Sequence, residues 1–204
     1  MRTHVKVCGI RRMQDAMLAA ELGAAAVGFI FWPGSPRFID PYRARAIAAA
    51  LPPFVSPIGV FVDQPEDHVA GVAGLIRLAG VQLHGNEEAA RYVHAATRII
   101  KSVPVGPGFD ASAVGEIPRH VTVLLDAHDP VRRGGTGHAI DWTAAAVVAA
   151  TRRTILSGGL NTANISRAID VVKPYAVDVS SGVEISPGVK DPAKLREFFA
   201  VIHG

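Results

Sequence analysis

The chain carries a single thiol, Cys8, in Lys6-Val7-Cys8-Gly9, where a short apolar stretch ends in a glycine turn. A free cysteine packed in a core is ordinarily inert. At the end of a strand, beside a turn, its sulfur can instead meet a substrate, and as a thiolate it is a nucleophile or a base. Its ordinary pKa of about 8.5 falls beside positive charge. Lys6, two residues earlier and so on the same strand face, points inward below Cys8 and is expected to assist only through its long-range field. Asp126 ends the apolar run Val121-Thr122-Val123-Leu124-Leu125. On a water-poor rim such a carboxyl can hold a proton and donate it near neutrality. A thiolate base and a carboxylic acid are the parts needed to move protons on and off a small substrate.

Further along, Ser157-Gly158-Gly159 and Ser180-Ser181-Gly182 are glycine-bearing turns in which backbone N–H groups can approach an anion, so they are expected to grip a phosphate. Asp178, on the strand leading into Ser180, is placed to reach sugar hydroxyls. Arg37, in Ser35-Pro36-Arg37, offers a planar fork suited to a carboxylate or phosphate. Gln82 and His84 complete the polar set, although a lone histidine is more often structural, and His128 carries the same weak signal. The stretch from Ala127 to Gly137 reads as a glycine-bearing cover that closes over substrate and excludes water. No grouping of His, Asp and Glu has metal-ligand spacing, so no metal is expected.

These residues fall at the ends of short β-branched runs that alternate with longer stretches of helical periodicity. Eight such pairs are expected, with strands near 4–8, 26–31, 56–62, 80–84, 98–103, 121–126, 154–156 and 175–179. Most are continuously apolar, as parallel strands buried on both faces must be. Met13, Ala16, Met17 and Ala20 form one helical stripe; Ile165, Ala168, Ile169 and Val172 form another, and Leu195, Phe198, Phe199 and Ile202 a third. Asp40-Pro41 and Asp191-Pro192 mark helix starts, with Asp110 and Asp141 as further caps. No linker or low-complexity tract interrupts the alternation, so residues 1–204 read as one domain. Without a G-x-G-x-x-G or Walker A element after the first strand, and with polar residues gathered at the strands' carboxyl ends, the pattern favours a closed (βα)8 barrel over an open doubly wound sheet. In such barrels the loops after strands seven and eight are the recurrent phosphate grip.

Composition agrees. Of 204 residues 49% are hydrophobic, enough for a sizeable core. A single cysteine excludes an internal disulfide and fits a reducing cytoplasm. The first residues lack the apolar run of a signal peptide, and no segment is long enough to span a bilayer. A formal charge of +3 and a pI near 9.3 suit an anionic partner. Scattered cations and 6% aromatic residues speak for a phosphorylated metabolite and against nucleic acid.

KVCGI, GFIFWPGSPRFI, PIGVFV, VQLHG, LLDAHDPVRRGGTG, LSGGL and VDVSSGVE..PGVKD, in this order, resemble the phosphoribosylanthranilate isomerase family over nearly the whole chain. The resemblance implies a (βα)8 enzyme of tryptophan biosynthesis that rearranges N-(5-phosphoribosyl)anthranilate to the ribulose form without a cofactor. It implies that Cys8 is the general base and Asp126 the general acid. It also places the substrate phosphate on Gly158, Gly159, Ser180, Ser181 and Gly182, and Arg37 near the anthranilate carboxylate. Gly34 stands where relatives often carry lysine, and the 128–133 loop exceeds the shortest family versions. With no attached indole-glycerol-phosphate synthase domain, the chain reads as monofunctional, either monomer or homodimer. The alternatives are another phosphosugar isomerase or lyase on the same barrel, such as the histidine-pathway enzyme with paired aspartates, or a binding protein that keeps the phosphate grip without catalysis.

Overall fold

The computed structural model describes residues 3–95, 98–106, 108–127 and 141–204. Eight parallel strands, β1 (His4–Cys8), β2 (Ala26–Ile30), β3 (Ser56–Phe61), β4 (Gly80–Leu83), β5 (Ile99–Val105), β6 (Thr122–Ala127), β7 (Thr154–Leu156) and β8 (Ala176–Val179), pair in sequence order. The ring closes where β8 pairs with β1, His4 opposite Ala176 and Lys6 opposite Asp178. This is the expected (βα)8 barrel.

Alternate residues of a strand face opposite ways, so each strand builds two layers. Outward-facing Val7, Val27, Phe29, Val81, Leu83, Val123, Leu125 and Val177 are buried beneath the helices. Inward, Ile58, Ile100, Leu124, Ile155 and Ala176 form a separate apolar plug. Each fully buried Ile or Leu side chain contributes about 1.5–3 kcal/mol. Two residues beyond the plug, on the same inward face, stand Asp126, Ser157 and Asp178. The spacing that makes Leu124, Ile155 and Ala176 a plug therefore turns polar side chains into the barrel mouth.

The helices are α1 (Met13–Glu21), α2 (Pro41–Ala50), α3 (Glu66–Ile76), α4 (Trp142–Ala149), α5 (Ile165–Val172) and α6 (Pro192–His203). Asp40, Asp141 and Asp191 each accept two first-turn N–H groups, as capping aspartates do. The α5 and α6 stripes are buried as expected, with Ile169 and Ile202 at their margins. On α1 the buried residues are Asp15, Ala16 and Ala19, while Met13 is exposed. The helix is rotated from its apolar stripe because Asp15 pairs with Arg12 at 2.7 Å and accepts the Lys190 N–H.

Two of the eight expected helices are absent as α-helices. After β4 and β5 the described residues form only 3₁₀ turns, Ala89–Tyr92 and Ala111–Glu116, and Asp110 caps the second by accepting the Ser112 N–H. Gly108, Gly115 and Pro118 confine the second stretch to less than the length an α-helix needs. In place of a helical ladder, the Arg152 guanidinium donates to the carbonyls of Val114, Ile117, Pro118 and Val121 at 2.7–3.0 Å. Hydrogen bonds to a charged group contribute about 1.5–3 kcal/mol each, less where water can replace them. Arg152→Ala is therefore expected to lower the free energy of unfolding by about 3 kcal/mol; a loss in urea titration below about 1 kcal/mol would show that the staple is dispensable.

Past β8 the chain makes a 3₁₀ turn, Ser181–Val183, and a small hairpin, β9 (Glu184–Ser186) and β10 (Val189–Lys190), before α6. Among the described residues no helix is long and apolar enough to cross a membrane.

Candidate active site

A cavity of about 510 Å³ opens at the carboxyl ends of the strands, and Cys8, Arg37, Gln82, His84, Asp126, Ser157, Asp178 and Ser180 all line it. All of the proton-transfer and substrate-contact candidates are thus brought together. Of the two glycine-bearing turns, Ser157 and Ser180 reach the wall itself, whereas Gly158, Gly159, Ser181 and Gly182 do not line it.

Cys8 is buried at 6% exposure, and its sulfur lies against Gly28 on β2, where a Cβ would stand 2.8 Å from Sγ. The absence of a side chain at Gly28 is what leaves room for the thiol. Lys6 is buried just below, with Nζ 2.9 Å from Asp178 Oδ1. Lys6 Cε and the Cys8 sulfur share the space over Gly28, and the lysine's positive charge acts to lower the thiol's pKa. Burial works to lower the Lys6 pKa, but Asp178 and Cys8 outweigh it and hold the amine above the usual lysine range, as an ammonium. The thiol departs from expectation. Burial pushes the Cys8 pKa up, and Lys6 and Lys190 oppose this without overcoming it.

Across the mouth, Asp126 Oδ1 accepts the Ala127 N–H at 2.9 Å, and Oδ2 stands 3.2 Å from His84 Nε2. The Gln82 amide nitrogen lies 2.9 Å from His84 Nδ1. With Gln82 donating, Nδ1 accepts and Nε2 is the ring nitrogen that presents an N–H to Asp126. His84, a weak signal by itself, becomes the link between Gln82 and the carboxylate. Gln82 Oε1 and Ser180 Oγ are buried with no hydrogen-bond partner among the described residues. Both line the cavity, where a ligand can satisfy them.

Arg37 is buried, not a surface arginine, because the Glu184 carboxylate takes its Nε and Nη2 at 2.7–3.1 Å. This uses one edge of the guanidinium and leaves the Nη1–Nη2 edge for an anion in the cavity. Lys190, fully buried, adds a 2.9 Å contact to the same carboxylate. Burial works to raise the Glu184 pKa, but the bonds from Arg37 and Lys190 win and hold it below the usual glutamate range. Neither Glu184 nor Lys190 stood out in the sequence; the only signal was a pair of charges flanking the Pro187-Gly188 turn.

Removing one partner of a buried pair strands the others at about 3–5 kcal/mol. Glu184→Ala is therefore expected to lower the melting temperature by roughly 8–15 °C. Because the folded Glu184 pKa is depressed, its stabilisation is present above the unfolded value of about 4.3 and disappears as pH falls through the folded value. Glu184→Gln should flatten the stability profile in that acidic window; a wild-type-like acid limb in the variant would rule out this source.

The two glycine turns touch. A Cβ on Gly182 would run into the Leu160 carbonyl, so the loops after β7 and β8 reach this separation only with glycine there. Gly158 and Gly159 both have positive φ, 84° and 64°. In the Ser181–Val183 turn the Val183 N–H donates to the Ser180 carbonyl at 3.4 Å, and the Ser181 and Gly182 N–H groups, which come first, have no acceptor within the turn. The 127–137 cover, apart from Ala127, and His128 lie outside the described residues. Among the described residues no cluster of three His, Cys, Asp or Glu side chains could hold a metal ion.

Residues 5–201 match the model of the N-(5'-phosphoribosyl)anthranilate (PRA) isomerase family. The chain is 46% identical over 197 residues to the N-(5'-phosphoribosyl)anthranilate isomerase of Geobacter sulfurreducens, covering 95% of each chain. It superposes on the phosphoribosyl anthranilate isomerase of Thermotoga maritima with a TM-score of 0.90, at 40% identity over 99% of each chain. It is also similar, at 40% identity over 99% of each chain and with a TM-score of 0.87, to a phosphoribosyl anthranilate isomerase in complex with reduced 1-(o-carboxyphenylamino)-1-deoxyribulose 5-phosphate. Fold, strand-end chemistry and kinship agree: the chain belongs to the N-(5'-phosphoribosyl)anthranilate isomerase family.

Proposed function

We propose that the chain catalyses the Amadori rearrangement of N-(5-phosphoribosyl)anthranilate to 1-(2-carboxyphenylamino)-1-deoxyribulose 5-phosphate, a step of tryptophan biosynthesis, with Asp126 as general acid and Cys8 as general base. The observation that carries this reading is that a carboxyl and the only thiol of the chain line one phosphosugar-sized cavity. Asp126 protonates the furanose ring oxygen; the C1′–O bond breaks as the anthranilate nitrogen lone pair forms the C=N bond. The protonated Schiff base acidifies the C2′ hydrogen, which the Cys8 thiolate removes to give the enolamine. Loss of the 2′-hydroxyl proton and protonation at C1′ then give the ketone. No step needs a cofactor or a metal.

The Gly158-Gly159 and Ser180-Ser181-Gly182 turns hold the phosphate, Arg37 meets the anthranilate carboxylate with its free edge, and Asp178 binds a sugar hydroxyl. Gln82 and His84 orient Asp126 and contribute to substrate binding. Because one chain supplies every group, monomer and homodimer serve equally. A cytoplasmic setting suits the free thiol, and a phosphorylated metabolite, not nucleic acid or membrane, is the partner.

The test is the loss of fluorescence when the protein meets freshly generated phosphoribosylanthranilate. Turnover by wild type is expected. A folded protein that leaves this substrate unchanged but isomerises the histidine-pathway aminoaldose would replace the reading.

A further inference from the structure

Lys6 is a fully buried amine that the proton transfers above leave unused. A charge inside a barrel loses its hydration, and an apolar side chain of similar volume commonly serves stability as well or better. The surroundings of Lys6 indicate what its charge does there. It faces inward on β1 two residues before Cys8, opposite Asp178 on β8 and Ala26 on β2. A Cβ on Gly28 would lie 2.8 Å from Cys8 Sγ and 3.2 Å from Lys6 Cε, so the two side chains share the space over that glycine. Nζ is fixed by Asp178 at 2.9 Å, and an ammonium with three N–H groups keeps donors beyond that pair. The charged groups acting on Cys8 are Lys6 on its own strand, Asp178 on β8 and Lys190 on β10; its β2 neighbour, Gly28, bears no charge.

We propose that Lys6 is a positioning residue for the isomerisation: anchored by Asp178, its ammonium lies against the Cys8 sulfur and stabilises the thiolate that removes the substrate proton. This rests on Cys8 being the base. Lys6 touches no reacting atom; when a sulfur lone pair takes the C2′ proton, the C2′–H bonding pair stays on the substrate to form the enolamine, and the ammonium stays with Asp178. Asp178 has two opposed effects on the base. Its negative charge disfavours the thiolate, yet it also keeps the lysine charged and in place.

Since Cys8 is the only cysteine, iodoacetamide alkylation followed by intact mass reports on it alone. The rate is measured from pH 6 to 10.5 on wild type, Lys6→Met, Asp178→Asn and Lys6→Met/Asp178→Asn, together with turnover of phosphoribosylanthranilate by wild type. A neighbouring opposite charge shifts an ionisation by about 1–3 pH units. Lys6→Met is therefore expected to slow alkylation at pH 8 about tenfold or more, and Asp178→Asn to speed it. The double variant, which strands no buried charge, is expected to react more slowly than Asp178→Asn. It decides the matter if Lys6→Met fails to fold. Loosened packing accelerates alkylation, so it cannot imitate this slowing. A folded Lys6→Met that reacts as fast as wild type, or a double variant as fast as Asp178→Asn, overturns the role of Lys6 while wild-type turnover keeps the reaction. Slowed alkylation with no wild-type turnover overturns the reaction instead, and with it the part assigned to Lys6 in it.

Discussion

Cys8→Ser is expected to fold and bind substrate like wild type and to turn it over about 10²–10⁴-fold more slowly, the usual contribution of a positioned base. The substitution exchanges one small side chain for another against Gly28 and so leaves the barrel undisturbed. It takes away the ionisable sulfur, and a serine hydroxyl does not become an anion in the working pH range. A loss confined to kcat, with KM little changed, is the signature of a group acting in the transition state. Wild type adds a second observable. Burial sets the Cys8 pKa above its ordinary value, and the base works only when deprotonated. kcat/KM is therefore expected to fall as pH drops and to keep rising through the ordinary thiol range near pH 8.5. A Cys8→Ser variant with kcat within threefold of wild type would remove the thiol from the mechanism.

Much of this site was legible because its positions follow from strand periodicity. Once the strands ending at Cys8, Asp126 and Asp178 are recognised, alternation alone turns those side chains into the barrel, two residues above an apolar plug. The glycine turns were equally visible, since they follow the two strands whose loops commonly hold phosphate. What escaped notice depends on partners distant in sequence. Lys6 and Asp178 are 172 residues apart, and Arg37 and Glu184 are 147 apart; no local pattern marks either pair. The sign of the Cys8 shift is another case: two lysines act to lower it, but burial, with Asp178 on its side, outweighs them, and burial is a property of the closed barrel. The missing fourth and fifth helices have a local cause in the glycines and proline around the second 3₁₀ turn, yet the Arg152 staple that replaces a helical ladder reaches across 31 to 38 residues. On α1 the Asp15 contact with the Lys190 backbone overrode the apolar stripe.

Asp126→Asn is expected to cost about 10²–10⁴ in kcat as well, because asparagine matches aspartate in size but has no acid proton to give. Its carbonyl oxygen can still accept the Ala127 N–H and so hold the side chain where Oδ1 now sits. Loss of activity with an unchanged melting temperature would therefore report chemistry, whereas near-normal kcat would remove Asp126 as the acid. Combining it with Cys8→Ser tests the order of events. If ring opening and removal of the C2′ proton are successive steps, each substitution slows a different barrier, and the slower one sets the rate. The double variant is then expected to lose little more than the poorer single variant, a strong non-additivity of the kind that residues acting in one reaction path show. If the two losses instead multiply, acid and base act in the same transition state, and the stepwise passage through an open Schiff base gives way to a concerted one.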